Sequence, residues 1–220
     1  MISIIIPARN EERNIFNTIK VLQKLRKENL CEIILVDGMS IDKTVQIATK
    51  YVDKIITTRP NRGIQMNKGA EIAIGETLVF LHADTDVSED DCIKEIKNSY
   101  EWGFFKISFD KKSLKYTILS FLINLRSILF NYGTGDQVIF VKKKLFKRIG
   151  GFPNFEIMED IYICSKLKKC LKPMILKSYV KTSARRWEIN GFLRTILRMR
   201  ILRLLYYMKV QPSKLKSFYK

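Results

Sequence analysis

At 220 residues, 46% of them hydrophobic, the chain has the size of one ordinary domain with a real core, which excludes a disordered chain. Four cysteines without a CxxC pair and a single histidine exclude a zinc module and a disulfide framework, and fit a reducing compartment. The formal charge of +18 is uneven: the last 40 residues hold 11 Lys and Arg against one acid, Glu188, which marks this end as the part that meets something anionic.

Met1 runs straight into Ile2-Ser3-Ile4-Ile5-Ile6, which reads as a buried strand and not as a leader. In 12–27, Ile15, Ile19, Leu22 and Leu25 share one helix face. A second strand follows at 32–36. A helix is predicted over 42–52, with Asp42 as its N-cap and Val45, Ala48 and Val52 inward. A third strand spans 54–58, a helix 63–74 ends at Gly75, a fourth strand spans 77–81, and a fourth helix 89–99. The second half is less regular. It reads as a mostly apolar helix over 113–131 containing Arg126, a strand at 137–141, and a turn at Gly150-Gly151-Phe152-Pro153. A helix should begin near Met158-Glu159-Asp160, and a last helix over 189–208 runs into a basic tail. No segment reaches the roughly 20 apolar residues of a spanning helix; the most apolar run, Tyr116 to Leu125, is broken by Thr117, Ser120 and Asn124.

Short apolar strands alternating with helices predict an α/β fold, a mostly parallel sheet covered on both faces. Ligands then bind at the carboxyl ends of the strands, in the loops after Ile6, Val36, Thr58 and Leu81. The first loop, Pro7-Ala8-Arg9-Asn10-Glu11-Glu12, is polar where a dinucleotide fold is glycine-rich. No GxGxxG or Walker A pattern occurs, which excludes dinucleotide and P-loop chemistry; its acids equally suit a helix start. In the second loop, the Asp37 carboxylate suits a base imide or ribose hydroxyl, and Asp-Gly equally suits a turn. The fourth loop, His82-Ala83-Asp84-Thr85-Asp86, offers one or two carboxylates to a hard divalent cation shared with a substrate diphosphate, or a helix cap.

Taken together, these loops and Gly150-Gly151-Phe152-Pro153 with Glu159-Asp160 resemble the family-2 glycosyltransferases of the GT-A fold, a Rossmann-like nucleotide-diphospho-sugar transferase sheet flanked by helices. The resemblance covers about residues 1–190 and leaves 191–220 as a basic C-terminal helix and tail. Arg62-Gly63-Ile64-Gln65-Met66-Asn67-Lys68-Gly69-Ala70, Gly135-Asp136-Gln137 and Ser183-Ala184-Arg185-Arg186-Trp187-Glu188 resemble more closely a small bacterial subgroup labelled glycosyltransferase 2-like.

The resemblance implies that Pro7, Ala8, Asn10, Glu11 and Asp37 bind the nucleotide, with Arg62, Gln65 and Asn67 close by. It implies that Asp84 holds a divalent metal, Mg²⁺ or Mn²⁺. His82, where the family has its first acid, then contacts ribose or serves as a second metal ligand, and Ala83 lies between them. Gly38 stands where many members carry another Asp. Asp160 is the implied general base beside Glu159, giving an inverting transfer from a UDP-sugar or related donor. Asp136, Gln137, Arg186 and Trp187 are the implied diphosphate and acceptor contacts, with Ser183 replacing the Gln of a QxxRW motif. The arginines and apolar residues of 192–208 suit an anionic membrane surface, a helix packed on the domain with a solvated basic face, or an oligomer interface; with the first, a lipid-linked acceptor and a cytoplasmic, peripheral place at the inner membrane face are expected. A nucleic-acid partner is not expected, since no RRM, KH or helix-turn-helix signature accompanies the charge. His82 and Gly38 keep open a catalytically inactive sugar-nucleotide binder.

Overall fold

A computed structural model describes residues 1–87, 89–96 and 99–219. The amino-terminal half is the expected repeating unit: β1 (Ile2–Ala8), α1 (Ile15–Lys20), α2 (Gln23–Lys27), β2 (Cys31–Asp37), α3 (Thr44–Ala48), β3 (Lys54–Thr57), α4 (Arg62–Ile72) and β4 (Thr77–Phe80). β1 pairs in parallel with both β2 and β4, and β2 with β3. The strands are apolar on both faces because both faces are covered. Ile4, Ile6, Ile33, Leu35 and Val79 pack under α1–α3. Ile5, Ile34, Val36, Leu78 and Phe80 pack on the other side, against Met66 and Ala70 of α4. This odd–even division is the period of two of a pleated strand.

The carboxyl-terminal half extends the sheet and breaks its parallel character. β5 (Thr85–Asp86), β6 (Trp102–Phe109), β7 (Ile139–Lys142) and β8 (Met174–Thr182) complete the order β3-β2-β1-β4-β7-β6-β8-β5. β7 runs antiparallel to β4 and β6, β8 runs parallel to β6, and β5 antiparallel to β8. The helices here are α5 (Leu114–Phe130), α6 (Lys143–Arg148), α7 (Glu159–Cys170), α8 (Arg185–Ile189), α9 (Phe192–Tyr207) and α10 (Pro212–Tyr219).

Several expectations are corrected. The helix over 12–27 is two short helices, and 42–52 shrinks to α3, although Asp42 still accepts from the Thr44 N–H at 2.9 Å. The helix over 89–99 is a 3-10 helix, Glu89–Glu95; positions 97–98 of the expected helix lie outside the described residues. Gln137 does not begin a strand but closes a 3-10 turn, Gly135–Gln137. The last helix divides at Gly191, whose φ of +81° no helix accepts, and the tail is the helix α10. Leu202 of α9 and Leu215 of α10 are buried in the same cluster as Ile5 and Phe80, so 191–219 packs on the domain. Among the described residues no helix is long and apolar enough to cross a membrane.

Candidate active site

The carboxyl ends of β1 and β2 are held together by one side chain. Gln65, buried on α4, donates its amide to the Ala8 carbonyl at 3.1 Å and to that of Val36 at 2.7 Å. Gly38 N–H adds a bond to Ala8 O at 2.8 Å. Asp37 is buried, and both its oxygens accept the Ser40 N–H at 3.2 Å. The two loops are then stitched residue by residue. Asn10 N–H donates to Ser40 Oγ and Ile41 N–H to Asn10 Oδ1, while Glu11 N–H donates to Thr44 Oγ1 at 2.7 Å. Pro7 and Ala8 are still inside the strand register, opposite Val36 and Asp37. Ser40 and Thr44 escaped the sequence reading; the Asp-Gly turn before them was the available signal. The sequence placed Gln65 and Asn67 near the nucleotide, but the structure commits both amides to backbone. Asn67 pairs twice with Phe152, its Nδ2 donating to Phe152 O and its Oδ1 accepting Phe152 N–H, both at 2.9 Å.

At the end of β4, Leu81 N–H bonds Ile5 O, and Thr18 Oγ1 fixes the Ala83 carbonyl at 2.7 Å. These bonds set His82 against the 3-10 turn, its Nδ1 3.3 Å from Asp136 Oδ1. Desolvation opposes the charge of Asp136. The His82 hydrogen bond, then the charges of His82, Arg186 and Arg62, outweigh it and hold the carboxyl well below the usual range. An ionised carboxylate only accepts, so Nδ1 carries the proton and Nε2 is left as the second ring nitrogen. Gln137 is corrected from acceptor contact to scaffold. It is fully buried, donates to Phe105 O at 3.1 Å, and accepts from Ser127 Oγ at 2.9 Å and Thr134 N–H at 3.1 Å.

The same turn meets the start of α7. Gly135 N–H donates to Asp160 Oδ2 at 3.0 Å, and Ile161 N–H to Oδ1 at 2.7 Å, so the carboxylate is oriented by two backbone donors. Glu159 is buried and meets Arg62 Nη1 at 3.2 Å. Burial pushes the Glu159 carboxyl above its ordinary value; Arg62 pulls it down and Asp160 raises it again. His82, Gly135, Glu159 and Asp160 line one pocket, floored by Met66 and Phe80.

The last motif arrives through the far edge of the sheet. Thr85 pairs with Thr182, so Asp84 and Ser183 are the next residues out on the two strands. Arg185 reaches Glu11 of the first loop at 3.9 Å, and the Arg186 charge acts on Asp136. Trp187 is half-buried and packs between Phe109 and Phe192, with ring centroids 6.0 and 6.1 Å away. The structure thus joins His82, Asp136, Glu159 and Asp160 around one pocket, with the charges of Arg62 and Arg186 acting on Asp136, while Asp37 and Asp84 lie at the carboxyl ends of β2 and β4.

The family model described as Glycosyl transferase family 2 matches residues 3–141. The chain belongs to glycosyl transferase family 2. A Staphylococcus haemolyticus family relative, 4,4'-diaponeurosporenoate glycosyltransferase, is 32% identical over 108 residues, which are 45% of this chain and 28% of that enzyme. S. aureus TarS in complex with UDP-GlcNAc superposes with a TM-score of 0.63 at 21% identity, covering 83% of this chain and 58% of that one. The mannosyltransferase PcManGT from Pyrobaculum calidifontis, in complex with GDP-Man and Mn²⁺, gives 0.64 at 16% identity, covering 93% and 61%. The chain therefore spans less than two thirds of the length of each, and the likeness to the two structures places it in the GT-A fold.

The family's GT-A fold implies a divalent metal. Among the described residues no group of three or more His, Cys, Asp or Glu side chains converges as a metal cage. Asp84 is a half-buried carboxylate at the sheet edge. The donor set fits a hard cation held by one carboxylate and completed by substrate phosphates, which is the economy Mg²⁺ favours.

Proposed function

We propose that the chain transfers a sugar from a nucleotide-diphospho-sugar, a UDP-sugar by preference, to an acceptor hydroxyl with inversion at the anomeric carbon. The observation that carries this reading is the Asp160 carboxylate, aimed by the Gly135 and Ile161 N–H groups in a pocket it shares with His82 and Glu159. Complexes of GT-A neighbours with UDP-GlcNAc and with GDP-Man and Mn²⁺ support the donor class and the metal.

Asp37, buried at the end of β2, accepts from the nucleoside, and the stitched loops with Asn10 and Glu11 enclose it. Asp160 takes the proton of the acceptor hydroxyl as its oxygen attacks the anomeric carbon. The bond from that carbon to the diphosphate breaks on the opposite face, and the nucleoside diphosphate departs with the electron pair. Asp84 would hold a divalent ion, which when bound would supply charge neutralisation for that leaving group. Arg62 and Arg186, whose charges both act on Asp136 beside the pocket, add fixed positive potential there. Glu159, tied to Arg62, holds that guanidinium in place.

The test is donor turnover with Mn²⁺ over a panel of sugar nucleotides. Asp160→Asn should lower kcat by about 10²–10⁴ with UDP affinity unchanged, and EDTA should weaken UDP binding in the parent but not in Asp84→Ala. A parent that binds UDP without any turnover is an inactive binder and overturns the catalytic reading. Full activity in Asp160→Asn removes the base.

A further inference from the structure

The amino-terminal turns of α5 and α9 share a small apolar cluster. There Tyr116 meets Phe192 edge-on at 5.7 Å, and toward their carboxyl ends the charges of Arg203 and Tyr207 act on Arg126. Both helices invert the ordinary amphipathic arrangement. Ile118, Phe121, Leu125 and Leu129, at spacings of three and four, are 49, 63, 39 and 65% exposed on α5. Leu193, Leu197, Ile201 and Leu204 are 76, 60, 47 and 61% exposed on α9. Two adjacent outward apolar stripes mark a surface made for a non-aqueous partner. The surrounding charge selects among partners. α5 and α9 together carry six Lys and Arg (Lys115, Arg126, Arg194, Arg198, Arg200 and Arg203) and no acid. A second copy docked about a two-fold axis would oppose like charge to like charge, whereas an anionic bilayer is complementary.

Where the helices meet, a cation is left incomplete. Arg126 Nη2 donates to Ser127 Oγ at 3.2 Å, and its guanidinium carbon lies 4.9 Å from the Tyr132 ring centroid. Its Nε and Nη1 are buried without a hydrogen-bond partner. Arg203 adds like charge, and Lys168 lies 6.0 Å over the same Tyr132 ring. Burial first, then Arg203, lowers the Arg126 pKa to about 10, so the group stays charged at neutral pH. Two unmet donors on a buried cation are costly unless an anion completes them. Asp160 also acts on Arg126 electrostatically, which couples the gap to the proposed base.

We propose that Arg126 and Arg203 seat the phosphate of a lipid-borne acceptor, whose tail lies on the exposed α5–α9 face and whose acceptor oxygen is presented to Asp160. The acceptor half rests on the transfer reading above; the lipid-binding half does not. The test is vesicle co-flotation of the full chain without sugar nucleotide. Vesicles are phosphatidylcholine alone or doped with phosphatidic acid, and inorganic phosphate forms a separate arm. The parent should float only with phosphatidic acid. Arg126→Gln should bind those vesicles about tenfold more weakly or worse and melt at the same or a higher temperature, because it removes an unmet buried charge. Phe121→Asp with Leu129→Asp should abolish flotation.

Equal flotation on phosphatidylcholine, or an Arg126→Gln variant that floats like the parent, overturns the proposal. So does a fall in its melting temperature with flotation retained, which makes Arg126 a packing residue. Arg126-dependent binding of inorganic phosphate without vesicle binding makes the site one for a soluble anion and ends the lipid assignment. A dimer in solution that the two Asp substitutions dissociate gives the face to a second copy. UDP binding, followed on the same samples, separates the readings: lost lipid binding with intact UDP binding defeats this inference alone.

Discussion

Gly135 shapes the pocket through the side chain it lacks. A Cβ there would lie 2.3 Å from His82 Cε1 and 2.6 Å from Nε2, closer than carbon tolerates, while its N–H is already spent on Asp160. Only glycine lets the imidazole lie flat against the turn that aims the base. Gly135→Ala must therefore push His82 away from Asp136, move the turn, or both. The expected result is a loss of turnover of at least about tenfold, with a stability cost of about 1–3 kcal/mol from local overpacking. Urea unfolding and kcat measured together check it, and turnover at the parent level would show that the His82–turn contact has no part in aiming Asp160. The sequence displayed Gly135-Asp136-Gln137 as a motif, but not the division of labour within it. Glycine gives room, the Asp orders His82, and the Gln is consumed inside the scaffold by Phe105, Ser127 and Thr134.

Among the elements, the parallel strands are anchored at their amino ends, opposite the site, by Glu32. Its buried carboxylate accepts from Ser3 Oγ on β1, from Ile74 N–H at 2.6 Å in the α4–β4 connection, and from Lys54 of β3 at 2.9 Å. Desolvation raises the carboxyl pKa, but the bonds from Ser3, Lys54 and Ile74 outweigh it and lower it below the ordinary value. A lowered folded-state pKa gives stability that is present above the unfolded-state value and is lost as pH falls through the folded one. Glu32→Gln should therefore cost about 1–3 kcal/mol at pH 7, and the difference from the parent should vanish at a pH below the lowered carboxyl value. Urea titrations at both pH values check it; a constant difference would show that the charge contributes nothing. β1, β2 and β4 were legible because their apolar runs are short and bounded by turn residues, and α5 because its 17 residues are uninterrupted. β6 and β8 were not legible. The β8 sequence MILKSYVKT carries two lysines, and it is a strand because β6 supplies its partner, not because of any local pattern. That pairing, with Thr85 against Thr182, is also why the approach of 183–186 to Asp84 could be expected only from the family resemblance.

For the molecule as a whole, charge is the dominant unbalanced term. Forty Lys and Arg face 22 Asp and Glu, and a surplus of 18 like charges on one domain repels itself in the folded state more than in the expanded chain. Salt acts on this in two opposite directions. It weakens exposed pairs such as Arg26–Asp53 and Lys216–Glu156, each worth about 0–1 kcal/mol. It also shortens the reach of every repulsive pair, the Debye length falling from about 30 Å at 0.01 M to about 8 Å at 0.15 M. Repulsion wins because its pairs are numerous and long-ranged, while the attractive pairs are few, short and less easily screened at contact. Sodium chloride raised over this interval should therefore increase the melting temperature, by about 2–4 °C for each kcal/mol of repulsion removed. The same increase should weaken attachment to phosphatidic acid vesicles, since that attraction depends on the charge whose self-repulsion is being screened. Calorimetry and flotation on one preparation read both. A melting temperature that falls with salt would mean that the surface pairs outweigh the surplus, and that the cations of α5 and α9 are balanced within the fold and not held for an outside anion.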